Sequence, residues 1–281
     1  MKGSERSLGE YLEHFIRGKL AEHAFKKYLL TTYSQEVLTD VDLPVFIVGD
    51  YLPDLVAIKR NDTWDFARFW IEVKAVVKKQ KWMLTPTTSV IGSKRSQPRP
   101  YCVYVECLVD LPQDHISRLL KYEPNINRKM STEWKEKLAD LSEIEVTVLG
   151  YALYNDIRDI LGSEPEAVHR LNTTFGADNW RFLPKRKSFK DSETGASYGD
   201  FNRDNCVIRL SKLRQDWDIL ASLLKKNEPL VPIVASRNMT LFRSQIEKAI
   251  EIGSKEGVSS WFTRSLALDA PSLDQWVTGR K

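Results

Sequence analysis

FWIEVKAVV, residues 69–77, has the composition of a strand from a protein interior, yet it carries Glu72 and Lys74 at its middle. Side chains alternate along a strand, so Phe69, Ile71, Val73, Ala75 and Val77 form one face. Arg68, Trp70, Glu72, Lys74 and Val76 form the other. Glu72 and Lys74 therefore point the same way from a half-buried sheet, where each charge is costly without a partner. A cross-strand salt bridge at a sheet edge meets that need, and so does a chemical site. The E-x-K tripeptide alone does not choose between them, because residues 133–135 repeat it in a helix-like stretch.

The segment upstream favours a site. In GDYLPDLVAIK, Asp54 follows Pro53 and opens the preceding strand candidate, residues 54–59. NDTWD, residues 61–65, reads as a hairpin loop that would lay this strand antiparallel beside residues 69–77 and bring Asp54 near Glu72. Two carboxylates, with the backbone carbonyl between Glu72 and Lys74, make an oxygen-rich set suited to Mg²⁺ or Mn²⁺. Lys74 would then stand beside a metal-bound water. Asp54 also fits a plain strand-start aspartate, and Asp50 is a competing acid; the strand start favours Asp54.

The first helix bears on the same site. Over residues 8–30, a turn of 100° per residue aligns Leu8, Phe15, Glu22 and Leu29, flanked by Leu12 and Phe25. Glu22 lies on that apolar stripe, with Gly18 and Lys19 close by, a pattern that suits a site better than a core. The alternative is a partly exposed helix in which Glu22 pairs with Lys26 or Lys19 at helical spacing.

Further along, PVFIV (residues 44–48), YCVYVECLV (101–109) and EVTVLGYALY (145–154) read as strands, and residues 113–121 and 132–141 as helices. From residue 156 onward the pattern is mostly helical, clearest at 212–226 and 240–252, with extended pieces at 206–210 and 229–236. The expectation is a mixed-sheet α/β core over residues 1–155. A mostly helical region follows over 156–281, for substrate binding or dimerisation, either separate from the core or continuous with it.

Composition narrows the class. The chain has 281 residues, 42% hydrophobic and 28% charged, the balance of a globular protein. No apolar run approaches the roughly 18 residues of a membrane span, and MKGSERSLGE lacks the apolar stretch of a secretory signal. A cytoplasmic protein without membrane contact is expected. Cys102, Cys107 and Cys206 form no zinc-type spacing and read as core residues, and His14, His23, His115 and His169 show no mutual metal spacing. No phosphate-binding GxxxxGK[ST] or GxSxG nucleophile motif is present.

Net charge is +4, but basic residues cluster. Lys78, Lys79 and Lys81 continue from the charged strand; Lys94, Arg95 and Arg99 lie in a later loop; Lys185, Arg186 and Lys187 lie in PKRKSFK. Such runs are commonly solvated faces, and they also suit phosphate contact. Trp82 and Trp180 are candidates to stack on bases or to fill the core. Residues 179–205 read as a binding loop or a solvated linker.

A helix bearing a glutamate, a strand beginning P-D, a hairpin, and a strand with E-x-K in an apolar run together resemble the PD-(D/E)XK nuclease superfamily, the restriction-endonuclease-like fold. The resemblance covers residues 8–80, is only topological to about residue 155, and assigns no subfamily. It implies that Asp54 and Glu72 hold Mg²⁺ or Mn²⁺, that Lys74 orients or activates the attacking water, and that Glu22 assists. The implied activity is an endonuclease hydrolysing phosphodiester bonds, with DNA the expected substrate, in restriction, defence or repair. RNA or structured ends as substrate, or a non-catalytic nucleic-acid-binding module on the same fold, are the alternatives. A homodimer or a partner protein would suit double-strand cutting. The family usually places a helix between its third and fourth core strands, and prolines and turn formers stand there in this chain.

Overall fold

The structure, a computed structural model, describes residues 8–39, 54–61, 63–67, 70–87, 101–111, 144–162 and 164–227. The strand expected at 44–48, the helices at 113–121, 132–141 and 240–252, and the extended run at 229–236 lie outside the described residues. The described chain is mixed α/β and is built from several small sheets.

Helix α1 spans Leu8–Tyr33. Ala21, Phe25 and Leu29, at spacings of four, bury one stripe of its C-terminal half. Phe15, on the expected stripe, is instead 49% exposed, so the packed face does not extend along the whole helix. Strands β1 (Val37–Thr39), β2 (Leu55–Arg60) and β3 (Thr63–Phe66) form an antiparallel sheet in that order. The expected loop NDTWD is largely strand. Arg60 pairs with Thr63, and Asn61 after it takes φ +47°, a left-handed conformation that asparagine tolerates. The hairpin partner of β2 is thus β3 and not the E-x-K strand.

That strand, β4 (Trp70–Val76), belongs to a second sheet with β6 (Tyr101–Val109) and β7 (Val146–Leu153). β4 runs parallel to β6, and β6 antiparallel to β7. The connection from β4 to β6 contains a further strand, β5 (Trp82–Pro86), where turn formers alone were expected. One face of this sheet, with Ile71, Val73, Val103, Val105 and Cys107, packs on Ala21, Phe25 and Leu29 of α1. The reverse face carries Val76, Tyr104 and Ala152, which pack with Ile157 and Ile160 of α2 (Tyr154–Leu161) and Leu171 and Phe175 of α3 (Pro165–Phe175).

The region after residue 156 is not mostly helical where it is described. Between α3 and the last described helix lie β8 (Trp180–Leu183), β9 (Ser188–Lys190), β10 (Ser197–Gly199) and β11 (Asn205–Arg209). β11 pairs antiparallel with both β5 and β8, and β9 with β10. Three of these strands are short and half-exposed, so their sequence lacks the alternation that marks longer strands. The β9–β10 pairing requires Gly199, where a Cβ would lie 2.3 Å from the Ser188 Cα. Helix α4 is Trp217–Lys226, starting later than the expected residue 212. The Arg214 backbone is committed to Tyr151, donating at 2.9 Å and accepting at 3.2 Å, so the chain there is extended. Both cores draw on residues from either side of position 155: Trp217, Leu220 and Leu224 of α4 join the first, and Val76 and Met83 join Cys206 and Ile208 in the second. No helix among the described residues is long and apolar enough to cross a membrane.

Candidate active site

Asp54 reaches the E-x-K strand by a route the hairpin expectation did not contain. Among the described residues β4 is an edge strand of its sheet, and Asp54 lies along that edge. Its N–H donates to the Ile71 carbonyl at 3.1 Å, and its Oδ2 accepts the Val73 N–H at 2.6 Å. A residue's N–H and C=O leave a strand on the same side, so the Val73 carbonyl shares the edge that Asp54 caps. Asp54, that carbonyl and Glu72 therefore flank a single residue. Ile71 and Val73 are buried toward α1, while Glu72 and Lys74 are partly exposed on the other face, with side chains 24% and 31% accessible. Lys74 Nζ donates to Glu72 Oε1 at 2.9 Å.

The parallel ladder adds a residue that sequence reading missed. Glu106 stands opposite Lys74, as Tyr104 stands opposite Glu72. Glu106 is 1% exposed, and its Oε2 has no hydrogen-bond partner among the described residues. Burial pushes its carboxyl up to about 8; Lys74 pulls it down and Glu72 adds to the rise. For Lys74, burial disfavours the ammonium, but Glu72, then Glu106 and Asp54, outweigh it and hold the group above its ordinary value. One ammonium thus stands among three carboxylates. YCVYVECLV carried the same signal as FWIEVKAVV, a lone acid inside an apolar strand, but only the register shows which side chain it faces.

Glu22 is buried at 4% exposure, and the Lys19 ammonium bonds both its oxygens, at 2.9 and 3.0 Å. α1 covers the Ile71 and Val73 face, so Glu22 approaches the sheet from the side opposite Glu72 and Lys74. Among the described residues, no group of three His, Cys, Asp or Glu side chains is placed to hold one metal ion. Asp54 and Glu72 with the Val73 carbonyl are a hard, all-oxygen donor set. They fit Mg²⁺, which demands few protein ligands and keeps several waters.

Two of the expected basic clusters touch one hairpin among the described residues. The turn with Lys78, Lys79 and Lys81 follows β4, and the Lys81 N–H donates to the Tyr198 hydroxyl on β10 at 3.3 Å. Exposed Lys185, Arg186 and Lys187 lead directly into β9 of the same hairpin. Lys78 is ion-paired with Asp110. Lys94, Arg95 and Arg99 lie outside the described residues. Trp82 is not available to stack on bases: it is 1% exposed, and its Nε1 donates to Asp191 at 2.6 Å. Cys107 and Cys206 are buried with their thiols pushed up by burial, Cys206 to about 12, so both behave as core residues. An open cleft between α2 and α3 lies away from β4, and its main charges are already paired, Arg214 with Asp156 and Arg170 with Asp159.

Comparison with protein-family models, with curated proteins and with solved structures finds no match to this chain.

Proposed function

We propose that this protein is a metal-dependent nuclease that hydrolyses phosphodiester bonds, with DNA as substrate and Asp54, Glu72 and Lys74 as its catalytic group. The observation that carries this reading is the seating of the Asp54 carboxylate on the backbone of Val73, between Glu72 and Lys74. Asp54 and Glu72 would hold Mg²⁺ or Mn²⁺, which when bound lowers the pKa of a water and draws charge from the phosphoryl oxygen. Lys74 has a raised pKa and remains an ammonium at neutral pH. It therefore donates hydrogen bonds to the attacking water or to the phosphate and does not abstract a proton. The Asp54 bond to Val73 fixes one acid relative to the strand that carries the other, so the donors need little rearrangement as charge builds. The basic turns that meet at the β9–β10 hairpin supply phosphate contacts, and Glu22 braces the helix behind the sheet.

A second reading, a non-catalytic nucleic-acid-binding module, is favoured by the 2.9 Å pairing of Glu72 with Lys74, which satisfies both charges without any ligand. The deciding experiment compares wild type, Lys74→Ala and Glu72→Ala on supercoiled, linear and single-stranded DNA and on RNA, in Mg²⁺, Mn²⁺ or EDTA. Metal-dependent cleavage is expected, slowed about 10²–10³-fold in each variant with binding retained. Equal cutting by all three proteins would remove the site assignment. Equal binding without cutting, persisting in EDTA, would favour the binding module. Cutting of RNA alone would change the substrate class.

A further inference from the structure

The feature the mechanism above does not use is Glu106. It lies on β6, is 1% exposed, stands in register with Lys74, and leaves Oε2 without a partner among the described residues. An unmatched buried oxygen is costly, so its presence asks for a reason. Its surroundings supply one. β6 is hydrogen-bonded on both sides, to β4 and to β7, so its backbone is a fixed seat. Directly across the ladder is an ammonium whose present partner, Glu72, is the residue that a bound cation would claim.

We propose that Glu106 is a positioning residue, the acceptor that receives the Lys74 ammonium when Glu72 turns to a bound cation. This rests on the nuclease reading. Without Glu106, a cation on Glu72 would leave Lys74 partly buried with no partner for its charge, free to swing away from the reacting phosphate. With it, the ammonium moves from one strand to the next and stays on the same face of the sheet. A neutral and an ionised Glu106 carboxyl both offer an acceptor oxygen, so the handover needs no particular protonation state.

The test uses the full chain as wild type, Glu106→Leu and Glu106→Gln. Acylation of the Lys74 amine by an N-hydroxysuccinimide ester is followed by peptide mass spectrometry with and without Mg²⁺, alongside kcat and KM. In wild type, Mg²⁺ should leave Lys74 labelling nearly unchanged. In Glu106→Leu it should raise labelling several-fold and lower kcat with KM unchanged, and Glu106→Gln, which keeps one acceptor oxygen, should fall between. If Glu106→Leu does not fold, a Mg²⁺-induced rise in Glu106→Gln supports the proposal and its absence overturns it. Mg²⁺ binding is measured separately by calorimetry. A wild type that binds Mg²⁺ and cuts, with both variants indistinguishable from it, overturns the role of Glu106 alone. A wild type that neither binds Mg²⁺ nor cuts overturns the nuclease reading and this proposal with it.

Discussion

Burial of the Glu106 carboxyl makes folding sensitive to pH in one direction. The group titrates near 4.5 in the unfolded chain and near 8 in the folded one. Between those values the unfolded chain has lost a proton that the folded chain keeps, so raising the pH favours unfolding. Lys74, with its pKa raised, stays charged across that window and adds no slope of its own. Glu106→Gln has no proton to lose. Thermal melts from pH 5 to pH 8 should show wild type losing several degrees relative to Glu106→Gln, and parallel curves would mean that Glu106 ionises alike in both states. The same scale shows what the sequence made legible. The shared face of Glu72 and Lys74 followed from alternation, and Asp54 from its place after a proline at a strand start. Glu106 did not follow, because its meaning depends on β4 pairing parallel with a strand some thirty residues away, and no local pattern encodes a register.

Among the elements, long ones were readable and short ones were not. α1 buries a stripe along its C-terminal half, and β6 and β7 are long, mostly apolar runs, so their sequence announces them. β5, β8, β9 and β10 are held by side chains distant in sequence, and Asp191 shows how. Its buried carboxylate accepts from Trp82 Nε1 at 2.6 Å, the Thr194 N–H at 2.7 Å and Arg209 at 2.9 Å, tying the β9–β10 hairpin to β5 and β11. Burial raises this acid, but the bonds from Thr194 and Trp82 and the Arg209 charge prevail and hold it down at about 2. Its contribution is therefore present above about pH 4 and is lost as the pH falls toward 2. Asp191→Ala leaves Arg209 and the Trp82 indole buried without this partner, and should lower stability by about 3–5 kcal/mol in denaturant unfolding near pH 7. A loss below about 1 kcal/mol would show the cluster to be incidental.

For the whole molecule, the central fact is that β5, from the first third of the chain, pairs along its full length with β11, about 120 residues later. A boundary at residue 155 leaves Trp82 and Met83 without the sheet that buries them. A fragment of residues 1–155 should accordingly be poorly soluble or lack a cooperative melt, whereas one of residues 1–227 retains β11 and α4. A sharp, reversible transition in the shorter fragment would show that the first sheets fold unaided. The distance also carries a cost in time. At about 5–20 residues per second, synthesis delivers the partner of β5 roughly 6–24 s after β5 itself. Through that interval an apolar strand waits with an open edge, the condition under which chains pair with their neighbours, and the basic turn beside it is the nearest charge to keep them apart.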